Sequence, residues 1–318
     1  MTAVKSIGMT VADLDRSIDF YTTVLKFTKI GDRQVSRTAA IDPSPIPTDQ
    51  LPEMATSQLR VVELQLGGET IELTEFLTDK GRSIPLNSRS NDVWFQHLAI
   101  VVSDMHRAYQ HVRQQAIVQI SPQPQTLPDW NLAAGGIEAF YCQDPDGHNL
   151  ELIHFPPSKG DPKWQQPTAD LFLGVDHTAI VVTDTIASRA FYCDLLGLEL
   201  QQESENFGWE QAQLSGIANP KVRISSLKAT TGIGIELLEY LEPNNGRAIP
   251  IDTKPNDLWC SQTQIAIADR IETVKQFKNA RLPIVSAVVS PSTNSLEFDR
   301  QFLVCDPDGH KIRLVDRQ

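Results

Sequence analysis

The sequence predicts an α+β protein built from four copies of one βαβββ unit, and two observations carry that prediction. Phe140–Phe155, FYCQDPDGHNLELIHF, sets two alternating apolar runs around Asp144-Pro145-Asp146-Gly147, a hairpin pattern whose turn residues supply the tight φ values; Phe302–Asp316, FLVCDPDGHKIRLVD, repeats it. Longer stretches also recur. DLDRSIDFYTTVLKF is answered by DTIASRAFYCDLLGL, and IELTEFLTDKGRSIPLNSRSNDVW by IELLEYLEPNNGRAIPIDTKPNDLW, so that Asn91–Trp94 maps onto Asn256–Trp259. Matches of that length point to duplication of a two-unit gene.

In the first unit Val4–Val11 reads as a strand, and Asp13-Leu14-Asp15 opens a helix to Leu25 with Leu14, Ile18, Tyr21 and Leu25 on one stripe. Strands Leu59–Leu66 and Thr70–Phe76 flank the Gly67-Gly68 turn. The second unit has a strand at 97–104, a helix at Met105–Gln115 and the hairpin Ile137–Phe155; the Pro- and Gly-rich stretch 121–136 reads as a loop over a site. The third has strands Val175–Val182, Val222–Lys228 and Ile233–Leu241 with a helix Ile186–Leu196. The fourth has a strand Gln264–Ala268, a helix Arg270–Asn279 and the terminal hairpin to Val315. The Pro-rich linker 156–173 divides the chain into 1–155, with units at 4–80 and 93–155, and 174–318, with units at 174–242 and 257–318.

Hydrophobic residues at 41% and charged residues at 21% fit a globular chain long enough for about two domains. A formal charge of −12 with no Lys/Arg cluster argues against nucleic acid and anionic membrane surfaces as partners and leaves a small-molecule substrate. Cys142, Cys193, Cys260 and Cys305 form no CxxC pair, which suits free thiols in a reducing compartment. With no signal-like start and no apolar run of roughly 18–20 residues, the expectation is a cytoplasmic monomer or homodimer.

Some polar residues stand where apolar ones would be cheaper. Glu151 lies between Leu150 and Leu152, where burial is costly unless something pairs the carboxylate; a metal is one option and a wet sheet face the other. His97 shares a strand face with Ala99 and Val101, and His177 with Ala179 and Val181, so small neighbours leave room before each imidazole. His106, His111, His148, His154 and His310 read as structural or solvated, and Trp94 and Trp259 as packing anchors or cup walls.

The strand openings followed by an SD-x-x-x-A pattern, together with the two DPDG hairpins, resemble the vicinal-oxygen-chelate superfamily over nearly the whole chain. That superfamily holds glyoxalase I, methylmalonyl-CoA epimerase, extradiol dioxygenases and bleomycin- or fosfomycin-resistance proteins. The resemblance implies that two βαβββ units form an incomplete eight-stranded barrel around a cup, twice over, with loops 34–57, 121–136 and 202–221 lining the cups. It implies metal ligands from the first strand of each unit (His or Gln) and from its last (Glu). Carried over, these are Ser6 and Glu72, His97 and Glu151, His177 and Glu236, and Gln262 and Arg313. Ser6 and Arg313 depart from the pattern, and a guanidinium cannot ligate a cation.

Pairing consecutive units leaves both cups defective. Exchanged pairing, second with third and first with fourth, gathers His97, Glu151, His177 and Glu236 into one complete set. It leaves Glu72 and Gln262 as a weaker second site beside Ser6 and Arg313. Exchange is the favoured arrangement, and it requires Arg313 to meet Glu72, whereas consecutive pairing sends it to Glu236. The function implied is a glyoxalase-like lyase or isomerase acting through an enediolate on a small α-hydroxycarbonyl compound. A divalent Zn, Ni, Co, Mn or Fe ion is its cofactor and Glu151 or Glu236 its base. The alternatives are a metal-free binding or resistance-type protein and an extradiol-type dioxygenase.

Overall fold

The computed structural model describes residues 2–38, 56–115, 117–267, 270–279, 284–288 and 301–316. The first unit contributes β1 (Ala3–Val11), α1 (Leu14–Asp19), β2 (Thr28–Thr38), β3 (Thr56–Leu66) and β4 (Glu69–Phe76). The second contributes β5 (Gln96–Val102), α2 (Met105–Arg113), the two-residue strands β6 (Val118–Gln119) and β7 (Gln125–Thr126), and the hairpin β8 (Glu138–Gln143) to β9 (Asn149–His154). The third comprises β10 (Phe172–Val181), α3 (Thr185–Arg189), β11 (Glu199–Phe207), α4 (Trp209–Ser215), β12 (Lys221–Lys228), β13 (Thr231–Gly232) and β14 (Gly234–Glu242). The fourth comprises β15 (Gln262–Ile267), α5 (Arg270–Asn279), β16 (Ile284–Val288), β17 (Gln301–Cys305) and β18 (Lys311–Asp316).

Asp13, Asp104 and Asp184 begin the helices that follow three of the opening strands; each is extended, and its carboxylate accepts from first-turn backbone N–H groups. The helices of units one and three are shorter than their apolar stripes predict. After Asp19 and Arg189 the backbone widens into π-helical turns, Phe20–Val24 and Ala190–Leu195, which bury the edge-to-face pairs Phe20–Tyr21 and Phe191–Tyr192. The stretch 202–221, expected as a loop, carries the end of β11 and all of α4. Residues 39–55 of the expected cup-lining loop lie outside the described residues.

The strands form two sheets, each a nine-stranded, open α+β layer rather than a closed barrel. One runs β16-β17-β18-β15-β1-β4-β3-β2 with β13 on β1, and the other β11-β12-β14-β10-β5-β9-β8-β6 with β7 on β8. The fourth unit thus joins the first, and the second joins the third, through antiparallel seams β1–β15 and β5–β10. The division of the sequence at 156–173 is therefore not the division of the sheets, because each sheet draws one unit from each half of the chain.

Reciprocal contacts lock the halves together. Arg82 pairs with buried Asp257 (2.7 Å) and lies over Trp259, while Arg247 pairs with buried Asp92 (2.5 Å) and lies over Trp94. Both tryptophans are thus anchors for arginines. In the two hairpin turns His148 bonds Asp144 (2.9 Å) and donates to the Leu258 carbonyl, and His310 bonds Asp306 (2.8 Å) and donates to the Val93 carbonyl. Tyr21 and Tyr192 donate to the same two aspartates.

Burial alone would lower the His148 pKa, but the Asp144 carboxylate outweighs it and lifts the value to about 9. Its stabilising contribution is therefore full below the unfolded value near 6.5 and is lost as pH rises through about 9. The unfolding midpoint of the wild type should fall between pH 7 and 10, at a cost on the order of 1–3 kcal/mol. His148→Gln should start lower and show a flatter alkaline limb; an unchanged slope in that variant would remove His148 as the cause. No helix among the described residues is long and apolar enough to cross a membrane.

Candidate metal centre

Four side chains meet across the β5–β10 seam. The antiparallel register sets His97 opposite Ala179 and Ala99 opposite His177, so the two imidazoles sit diagonally with a methyl group beside each. The parallel neighbours then place Glu151 beside Ala99 and Glu236 beside Ala179. Both alanines are fully buried, and their small size keeps open the space the four larger side chains enter. His97 Nε2 and His177 Nε2 are 3.4 Å apart. Glu151 Oε2 lies 3.1 Å from the first and 3.3 Å from the second.

Nitrogen and oxygen donors about 2.1 Å from a common cation sit roughly 3.0–3.4 Å from one another at octahedral to tetrahedral angles. The spacing of His97, Glu151 and His177 fits that requirement, and these three could hold a metal ion. Glu236 stands beside the triad. Its Oε2 is 3.4 Å from His177 Nε2, its Oε1 accepts from Ser226 Oγ (2.5 Å), and its side chain is 22% exposed against 7% for Glu151.

The electrostatics follow from this crowding. Burial acts to raise the Glu151 pKa, yet the imidazoles of His97 and His177 hold it down at about 2. His177 moves the other way: burial disfavours its cation, and Glu236, Asp176 and Glu151 together push its pKa well above the ordinary range. His177 Nδ1 bonds Asp176 Oδ2 (3.0 Å), the partner that fixes a ligating imidazole's orientation. His97 Nδ1 is buried without a hydrogen-bond partner, and the rings of Phe95 and Tyr141 hold that imidazole instead.

Glu151, His177 and Glu236 open onto a cavity of about 400 Å³. One wall is apolar, with Leu127, Ile153, Leu214 and Leu238, and another carries Gln202, Ser204, Asn206 and Gln211. Lys159, Gly160, Asp161 and Pro162 of the linker close part of the rim. Sequence reasoning missed this amide-rich wall and Asp176. A carboxylate directly before a strand histidine is a weak signal, because regular alternation would turn it to the opposite face.

The other sheet places Arg313 where Glu151 stands here, Gln262 where His97 stands, Glu72 where Glu236 stands and Ser6 where His177 stands. Arg313 bonds Glu72 Oε1 (2.9 Å) and Gln262 Oε1 (2.7 Å), as exchanged pairing requires. Arg33 reaches the second Glu72 oxygen (3.1 Å), and Ser6 turns to Gln264 (2.8 Å). The expected weaker site at Glu72 and Gln262 is thus filled by an internal guanidinium, which takes up the lone pairs a second cation would need. Of the remaining histidines, His111 bonds the Val24 carbonyl, while His106 and His154 pair with Gln110 and Glu138.

Comparison with known proteins agrees with this architecture. Residues 3–152 and 174–314 each match the Glyoxalase/Bleomycin resistance protein/Dioxygenase superfamily. A 2-epi-5-epi-valiolone epimerase from Actinomyces sp. is 35% identical over 176 residues, covering 54% of this chain and 87% of that protein. A lactoylglutathione lyase from Arabidopsis thaliana is 25% identical over 309 residues, covering 97% of this chain and 89% of that protein. Glyoxalase I from Zea mays superposes with a TM-score of 0.62 at 18% identity, covering 99% of this chain and 92% of the other, a likeness of fold. With both halves matched, the chain belongs to the Glyoxalase/Bleomycin resistance protein/Dioxygenase superfamily.

Proposed function

We propose that the protein is a metal-dependent isomerase that moves a proton on the carbon beside the carbonyl of a small, uncharged hydroxyketone. The observation that carries this reading is the meeting of His97, Glu151 and His177 at one point, with Glu236 beside them on a cavity wall. His97, Glu151 and His177 would hold the ion. A bound divalent cation supplies a Lewis acid for the carbonyl oxygen, which acidifies the neighbouring C–H.

Glu236 is the base. It stands beside the triad and lines the cavity: Ser226 holds one of its oxygens, and the other lies 3.4 Å from His177 Nε2. It would take the α-proton to leave an enediolate; a proton from solvent then adds to the opposite face while Glu236 gives its own up to solvent, and the centre inverts. Tyr141 and the apolar residues Leu127, Ile153, Leu214 and Leu238 line the space in which the anion would form.

The relative named as an epimerase supports an inversion at such a centre. The relative named as a lactoylglutathione lyase suggests a glutathione adduct, which carries two carboxylates and an ammonium. The cavity offers those charges little. Lys159 is spent on the Leu132 and Ala133 carbonyls and Lys228 faces Asp161 (3.7 Å), while Gln202, Ser204, Asn206 and Gln211 suit hydroxyl groups. Two imidazoles and one carboxylate are also the donor set of non-haem iron oxygenases. Glu236, placed to move a proton, favours the isomerase.

The test is deuterium exchange. Protein stripped of metal and reloaded singly with Zn, Ni, Co, Mn or Fe(II) is incubated with cyclic and acyclic hydroxyketones in heavy water. Exchange at the α-carbon with at least one metal, abolished by chelator, is the expected result. Oxygen uptake without exchange would favour the dioxygenase, and no exchange with any combination sinks the proposal.

A further inference from the structure

We propose that the linker 156–173 is a working part of the metal centre, and that Trp164 positions His177 by holding Asp176. The inference rests on the metal-site reading above.

Asp176 precedes His177 on β10, so a regular strand would send the two side chains to opposite faces. The register is not regular. Val175 pairs with Ile100 and His177 with Ala99, which makes Asp176 the extra residue of a β-bulge and lets its carboxylate lie beside the imidazole. Each carboxylate oxygen then has its own donor: Oδ2 takes His177 Nδ1 at 3.0 Å, and Oδ1 takes the indole N–H of Trp164 at 2.8 Å. Fixing the proton on Nδ1 leaves the Nε2 lone pair for the cup.

Trp164 is itself held on several sides. It sits in a short 3₁₀ turn, Pro162–Gln165, capped by Asp161. Its ring lies on Gly174, where a Cβ would come within 2.6 Å of it, and packs against Ala99, Val101 and Ile153. Lys163 lies over the ring at 4.1 Å and bonds Glu69 of the other sheet at 2.6 Å. Glu69 also accepts from the Val175 N–H at the start of the bulge. A chain of contacts thus runs from β4 through the linker to a cup ligand, and the same linker supplies Lys159 to Pro162 to the cavity rim.

Cobalt(II) titration reads this directly. Metal-free wild type, Trp164→Phe, Asp176→Asn and the double variant are titrated while the visible absorption of bound cobalt is followed, and the unfolding midpoint of each is measured. Asp176→Asn should weaken cobalt by about 10–100-fold and Trp164→Phe by about 3–10-fold. Because Trp164 acts through Asp176, adding Trp164→Phe to Asp176→Asn should cost no further affinity. If Trp164 only packs, Trp164→Phe will lower the midpoint in both backgrounds and leave cobalt affinity unchanged, which overturns the positioning role alone. Fully additive losses overturn it too. A wild type that takes up no cobalt overturns the metal reading, and the inference with it.

Discussion

Glu236→Gln is expected to lower kcat by about 10²–10⁴-fold while the ion stays bound, whereas Glu151→Gln is expected to lose at least about 100-fold in metal affinity. The two carboxylates differ by position. Glu151 Oε2 sits 3.1 and 3.3 Å from the two imidazole nitrogens and is 7% exposed; Glu236 is 22% exposed and reaches only His177, at 3.4 Å. An amide at 151 keeps one oxygen but loses the charge that burial makes expensive and the imidazoles make stable. An amide at 236 keeps the Ser226 contact and loses the ability to take a proton. Metal content by mass spectrometry, beside kcat, separates the two. If Glu236→Gln loses its metal while Glu151→Gln keeps it, the assignment of ligand and base is reversed.

Arg313→Leu is expected to cost about 3 kcal/mol of stability at neutral pH, the low end for a broken buried pair because Arg33 still reaches Glu72 at 3.1 Å. Glu72 is 7% exposed; burial acts to raise its pKa, and Arg313 and Arg33 together bring it below the ordinary value. In the wild type that carboxylate contributes stability above its unfolded pKa, and the contribution is lost as pH falls through the folded value. Without Arg313, burial gains and the folded pKa rises. The deficit of the variant should then be largest at pH 7–8 and shrink towards pH 5 as Glu72 becomes protonated. Arg313→Leu with Glu72→Leu should recover most of the loss. Denaturant midpoints at the two pH values check both points, and a deficit that grows on acidification would contradict the pairing.

The repeat made the architecture legible. The DPDG turns and the aspartates that cap the helices are local signals, and they recur. His97, Glu151, His177 and Glu236 were legible because each occupies the same place in its own unit. Much else depends on contacts between units. The β5–β10 seam sets the diagonal of the imidazoles, and no local pattern encodes it. Asp176 acts beside His177 only because of a bulge, whose position is fixed by pairing with β5 and not by any local signal in the strand. The π-turns after Asp19 and Arg189 shorten helices whose stripes read as continuous. His148 and His310 are buried cross-links, which appears only once the carbonyls of Leu258 and Val93 are brought to them.

The shared sheets also bear on biosynthesis. β1 is made long before its seam partner β15: 258 residues separate Ser6 from Gln264. Until then the nascent chain carries a bare strand edge, open to mispairing with itself or with neighbours. Closure of that edge waits on the synthesis of β15, so β15, not β1, governs when the seam can form.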